Sequence, residues 1–492
     1  MTRTAFSLGI FIIIIGKISL GAVEEITTTQ LLPQADTPET FRFLNGVALG
    51  KWDEVKAQIE KDPSLVRGTN SEGVTALMVA SRTANLPMMR LLIRYKADPN
   101  AKLTNHFSIL HGAMLLDSAE VVTLLIDSGS DVNAQDDSGF TPLANAIEKG
   151  KNNHLQLLLA RGANPDLQTV QGDTLLLIAA EADNRVAIQI LLKAGAKIEA
   201  YGENGLNALQ LAAKRGNRSA VEALINGGAA IDGFSLRTGA TALILASIGE
   251  SERGDSAADT RKGRPGLMLQ IQRTQADFLS VVALLMDRGA NLHLKSGRDG
   301  FTALHAAVVG NNLEVVTLLL TKGAKVNSLS LDGRSPLHLA AARASPEIVG
   351  LLLDQGADME AVQWDVPSMF TPLLYSVQFG KIENLKLLIA RGANPKVRCF
   401  ESAQATALHI AAKSNQPEAA KILLGSGIPV DVRDAGNQTP LMVSASSDSL
   451  EMAEFLVQNG ANVHAVADMG HTSLSIAEAS NNHRLVAFLK RR

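Results

Sequence analysis

The residues of this 492-residue chain with the most obvious chemical potential are its histidines, its single cysteine and one short acidic-amide run. His111, His305, His338 and His409 each stand three residues after a hydroxyl residue, at Ser108, Thr302, Ser335 and Thr406. A zinc site needs its ligands drawn together, as in His-Glu-x-x-His on one helix face, and these four are spread along the chain with no such pair. Asp131, Asn133 and Gln135 alternate as the oxygen ligands of a calcium loop do. That loop needs Gly at its sixth position for a sharp turn and Glu at its twelfth; here the sixth is Asp136 and the twelfth is not Glu. Cys399, beside Arg398, is a lone thiol, so the chain makes neither an intramolecular disulfide nor a multi-cysteine zinc site. A reactive thiol is one reading of it and a passive packing residue the simpler one. No Gly-x-Ser-x-Gly nucleophile elbow and no phosphate-cradling Gly-x-x-x-x-Gly-Lys-Ser/Thr loop occurs. The residues point to no catalytic group, no metal and no cofactor.

Charge and composition narrow the classes further. Lys and Arg number 46 against 49 Asp and Glu, a net charge of −3, so no chain-wide positive field exists to attract a phosphate backbone. A nucleic-acid partner is therefore not expected. Hydrophobic residues make up 46% and charged residues 19%, which excludes both wholesale disorder and a polytopic membrane protein. Aromatic residues are only 4%, so the core has to be aliphatic and assembled from small units.

A repeat of 33 residues supplies those units. A Thr, Ser or Asn preceding a short Ala/Leu-rich run recurs at Thr75, Ser108, Thr141, Thr174, Asn207, Thr241, Thr302, Ser335, Thr371, Thr406, Thr439 and Thr472. Most intervals are 33, and the single long one, 61 between Thr241 and Thr302, equals one repeat plus 28 inserted residues. Each unit reads as two short helices and an extended finger. The hydroxyl residue caps the first helix, and Pro142, Pro336, Pro372 and Pro440 directly after it suit a first helical turn. A Gly column (Gly129, Gly162, Gly195, Gly228, Gly289, Gly323, Gly356, Gly392, Gly427, Gly460) ends the second helix in the left-handed conformation, and only Lys96 breaks it.

These residues resemble the ankyrin repeat family, whose period is 33 and whose signature is Thr-Pro-Leu-His-x-Ala with a Gly-Ala-Asp-Val-Asn-like exit. Ser335-Pro336-Leu337-His338-Leu339-Ala340-Ala341 with Gly356-Ala357-Asp358 follows it almost letter for letter, and the resemblance covers about Phe41 to Arg492 in thirteen units. It implies an all-α ankyrin solenoid, each repeat a helix-turn-helix plus a β-hairpin finger, with capping repeats at both ends. It also implies that the four histidines hydrogen-bond across repeat boundaries, and that first-helix faces and finger tips line a concave groove that binds a protein partner. A small-molecule substrate is not expected.

Departures from the repeat are where a binding site is sought. The fingers before Thr371 and Thr406 are three and two residues longer than the rest and carry Trp364, Phe370, Cys399 and Phe400, while Phe379 closes the intervening first helix. In a chain this poor in aromatics the grouping suggests a binding hot spot, because buried aromatic anchors dominate interface energies. The competing reading is that Trp364 and Phe400 pack within their own fingers. Phe140, Phe301 and Phe370 all precede the capping Thr, a position that the resemblance turns toward the groove and where Phe is also common.

Two further segments stand outside the repeat. Residues 249–276 form the insertion; its first part is polar and turn-rich, a solvated loop, and the insertion reads either as disordered or as a docking or gating element. The N-terminal residues 1–22, with Arg3, an apolar run from Ala5 to Gly16 and then Ser19, Gly21 and Ala22, have the layout of a secretory signal peptide, followed by a polar linker over 23–40. Lys17 interrupts the apolar run short of the ~20 residues a spanning helix needs, and membrane contact is expected only if the segment stays uncleaved. The resulting expectation is a non-catalytic adaptor or inhibitor, secreted or periplasmic. The alternatives are an enzyme accessory or weak enzyme working through the insertion or Cys399, and a structural envelope spacer.

Overall fold

The structure, a computed structural model, describes residues 38–249, 274–363, 369–399 and 404–492. Trp364, Phe400, nearly all of the 249–276 insertion and the whole 1–22 segment lie outside the described residues. Within them, α-helices follow one another as thirteen pairs, from Pro38–Ala48 with Trp52–Lys61 to Ser473–Ala479 with His483–Leu489. The only β-structure among the described residues is isolated bridges such as Thr69 with Thr75. The architecture is the all-α repeat solenoid that the period predicts. The chain forms two compact units, one of residues 38–212 with 219–229, the other of 213–218, 230–249 and 274–492.

Local chemistry sets each boundary. Thr75 Oγ1 accepts from Met78 N at 3.2 Å, and Thr141 Oγ1 from Ala144 N at 3.2 Å, satisfying amides that have no partner inside the helix. The second helix ends where Gly129 takes φ 96°, with Gly129 N donating to Ile126 O and Ser130 N to Leu125 O, the paired bonds of a Schellman cap. Lys96, the exception in the Gly column, adopts φ 64° and makes the same two bonds, to Ile93 O and, through Ala97 N, to Leu92 O. The exception changes the residue and leaves the geometry intact.

Packing is aliphatic, as the composition requires. In the clearest repeat Leu304, Ala306, Ala307, Val315, Val316 and Leu319 are all essentially inaccessible. Each such Leu or Val stabilises by roughly 1.5–3 kcal/mol, and because one helix pair has nothing to bury against, that energy appears only when neighbours stack. Small residues set how closely they approach. In the second unit, a Cβ on Gly310 would lie 1.9 Å from Ile248 O.

Two ladders that the sequence pattern did not announce connect neighbours. At each of several repeat exits an Asn, Asp or Glu side chain accepts from a backbone N–H of the next: Asn100 from Asp131, Asn133 from Asn164 and Asp166 from Lys197 in the first unit; Asn327 from Asp358 and Glu360 from Asn394 in the second. Backbone bonds join adjacent fingers, as Val170 N to Ser138 O and Leu331 N to Asp299 O. The calcium-like run is thereby explained. Asn133 belongs to the exit ladder, and Gln135 Nε2 donates to Gly139 O and Gln168 O.

Candidate protein-binding face

The histidines are structural. His338 Nδ1 accepts from Ser335 N at 3.1 Å, and its Nε2 donates to Phe370 O in the following repeat at 3.0 Å. His111, His305 and His409 repeat the arrangement toward Phe140 O, Arg334 O and Gln438 O. This geometry uses the neutral Nε2–H tautomer. Burial favours that form, pushing His305 and His338 down to about 4 and lowering His111 and His409. Among the described residues no group of three or more His, Cys, Asp or Glu is placed to hold a metal ion. Cys399 is buried, with its backbone N–H donating to Ala405 O across the finger, a position without solvent access for a nucleophile.

The predicted aromatics behave differently from one another. Phe140 lies in the first unit and is buried at 8% exposure, so it offers a partner little surface. Phe301, Phe370 and Phe379 lie in the second unit and join one row. Phe301 stacks on His305 with centroids 5.3 Å apart, and the Arg334 guanidinium sits 5.7 Å from the Phe301 ring. Phe370 meets Tyr375 edge-on at 5.7 Å, and Tyr375 lies parallel to Phe379 at 6.1 Å. The Arg343 guanidinium stands 5.9 Å over Phe379, which is 44% exposed.

A polar network fixes this row from beneath. The Tyr375 hydroxyl donates to Gln363 Oε1, and Gln363 Nε2 in turn donates to Asp332 Oδ2 at 3.4 Å. Asp332 also accepts from Ser330 Oγ at 2.5 Å and pairs with Arg334 at 2.6 Å, a contact whose Nε–H is off the hydrogen-bond axis and so is Coulombic in character. Burial holds the Tyr375 phenol above its usual range and keeps it a neutral donor. Cation–π and ring–ring contacts are worth about 0.5–1.5 kcal/mol each, enough to hold side chains in one rotamer before a partner arrives.

Sequence reasoning selected Phe301, Phe370 and Phe379 and missed Tyr375, Arg334 and Arg343. The missed residues had a readable signal. Tyr375 and Phe379 stand four and eight residues after the cap at Thr371, Arg343 eight after Ser335, and Arg334 shares with Phe301 and Phe370 the place just before the cap. These spacings put the residues on one edge of successive first helices.

Comparison with family models agrees with this architecture. The family model described as "Ankyrin repeats (3 copies)" matches residues 47–136, 110–202, 267–363, 365–434 and 408–491, and the "Ankyrin repeat" model matches 204–233. A search of curated proteins found no match. Among solved structures, the human ASB11 ankyrin repeat domain is 25% identical, the alignment covering 43% of this chain and 92% of that one with a TM-score of 0.38. The family matches span well over half of the residues, and the chain belongs to the ankyrin repeat family.

Proposed function

We propose that this chain is an exported, non-catalytic binding scaffold that holds a partner protein as an adaptor or inhibitor. Ankyrin repeats are protein-interaction scaffolds, and the reading for this chain rests on one observation above the others. In a protein with 4% aromatic residues, Phe301, Phe370, Tyr375 and Phe379 share one row with two arginines, and Phe379 is 44% exposed. Pre-ordered aromatic and arginine side chains are the residue types that dominate interface energies. Export is supported by the basic start, apolar run and small-residue end of residues 1–22.

The test has two arms. Affinity capture with the parent chain, Phe379→Ala and Trp52→Ala should lose the partner only with Phe379→Ala, since Trp52 is also exposed, at 39%, but belongs to the first unit and not to the row. Equal recovery by all three chains rules the row out as the binding face. Mass spectrometry of the mature N-terminus should find it just after Ala22, and an intact Met1 in the extracytoplasmic fraction rules out cleavage there.

A further inference from the structure

Among the first helices wholly within the second unit, acids are rare: only the last, Ser473–Ala479, carries one, Glu478, which pairs with Lys490. Ala242–Ile248, Ala303–Val309, Pro336–Arg343, Pro372–Gln378, Ala407–Lys413 and Pro440–Ser446 contain no Asp or Glu. Their exposed ends bear Arg343 and Lys413 on either side of Phe379 in repeat order. In the first unit the first helices are mixed: Pro142–Glu148 and Leu175–Glu181 end in acids and Ala76–Arg82 in a base. The chain as a whole is slightly negative, at −3, so this local positive edge runs against the average.

The acid that does lie beneath the row is already engaged. Asp332 is shared by Ser330, Gln363 and Arg334. Among the described residues neither Arg343 nor Lys413 makes an ion pair with a carboxylate. The Arg343 guanidinium lies 5.9 Å from the Phe379 ring centroid, so its N–H donors stand beside the exposed ring, where an acceptor on a docking segment could reach them. A lysine or arginine from a partner would meet like charge at this place, and a wholly apolar segment would leave the guanidinium without an acceptor.

We infer that the Tyr375–Phe379–Arg343 edge takes a protein segment in which Asp or Glu stands close to an aromatic or leucine side chain, the apolar group packing against Phe379 and the carboxylate pairing with Arg343, with Lys413, one repeat further on, adding to the positive field. This rests on the reading of the row as the binding face. It adds the chemistry of the partner.

The full chain, immobilised, is presented with a random-peptide display library, in parallel with Phe379→Ala and with Arg343→Glu/Lys413→Glu, all three first checked for an unchanged thermal midpoint. The enriched peptides should pair Asp or Glu with Phe, Trp, Tyr or Leu. They should bind the parent about tenfold or more tightly than either variant, and weaken as salt rises. Arg343→Gln should fall between parent and charge reversal. An enriched pool that is neutral or basic, lost on Phe379→Ala but retained by Arg343→Glu/Lys413→Glu, overturns the acidic chemistry and leaves the face standing. Failure of any pool to distinguish the parent from Phe379→Ala overturns both.

Discussion

Phe140 and Phe370 occupy the same repeat position, one residue before a capping threonine, yet one is a packing residue of the first unit and the other part of a surface row in the second. The difference lies further along the first helix. Four and eight residues after the cap, the first unit offers Asn145 and Lys149 and the second offers Tyr375 and Phe379. With no ring at those two places, Phe140 is buried. Three rings in register build a surface, because each supports the next at the 5.7–6.1 Å spacing that aromatic pairs favour. Repeat position alone therefore does not decide whether an aromatic joins a surface row; the residues further along the same first helix do.

Substitutions at matched sites break this comparison most directly. Phe140→Ala should cost roughly 3–5 kcal/mol of stability and leave partner binding unchanged, read by denaturant unfolding and by capture. Loss of binding in a chain that remains folded would show that the first unit also contributes contacts. Leu319→Ala should cost about 2–5 kcal/mol, and hydrogen exchange should quicken in the adjoining repeats before the first unit responds, since coupling in such a stack runs between neighbours. Simultaneous loss of protection throughout would refute that local picture. Phe379→Ala should reverse the pattern of Phe140→Ala, weakening binding by about 2 kcal/mol with little change in thermal midpoint.

Acid should separate the units again. His305 and His338 titrate near 4 in the fold against an ordinary value of 6.5, because burial penalises the imidazolium. The unfolded chain thus binds protons that the native one refuses. Their contribution is intact above about pH 6.5 and is lost progressively as pH falls toward 4. With His305, His338 and His409 in the second unit and only His111 of this set in the first, thermal unfolding on acidification should begin in the second. His338→Gln should lessen the acid sensitivity while folding normally, because Gln210 already fills the equivalent place, its Oε1 accepting from Asn207 N at 3.0 Å. Equal acid sensitivity of parent and variant would remove His338 from the account. The smallest effect belongs to the surface pairs between repeats: Arg391→Ala, which breaks the pair with Asp354, should change stability by about 0–1 kcal/mol and diminish further in salt.

Most of the scaffold was legible in the sequence because its causes are local. A hydroxyl cap, a proline in the first turn and a left-handed glycine act within a few residues of themselves, so they show in the text of each repeat. The histidine bridges came with the family resemblance and are present. The exit ladder was not legible, since an Asn or Asp that accepts from a backbone amide 31 residues away looks, in one repeat, like any polar turn residue. The same holds for the row. Phe370 and Phe379 stood out by rarity, whereas Tyr375, Arg334 and Arg343 acquire meaning only from the rings and carboxylates of neighbouring repeats.

By itself, then, the sequence determined a 33-residue unit, its aliphatic core and its repetition, because backbone satisfaction and apolar spacing leave few other solutions. Only the tertiary structure decided which aromatics are exposed and which are buried. Exposure of a side chain depends on the residues stacked above and below it, and in a repeat protein those lie a full period away.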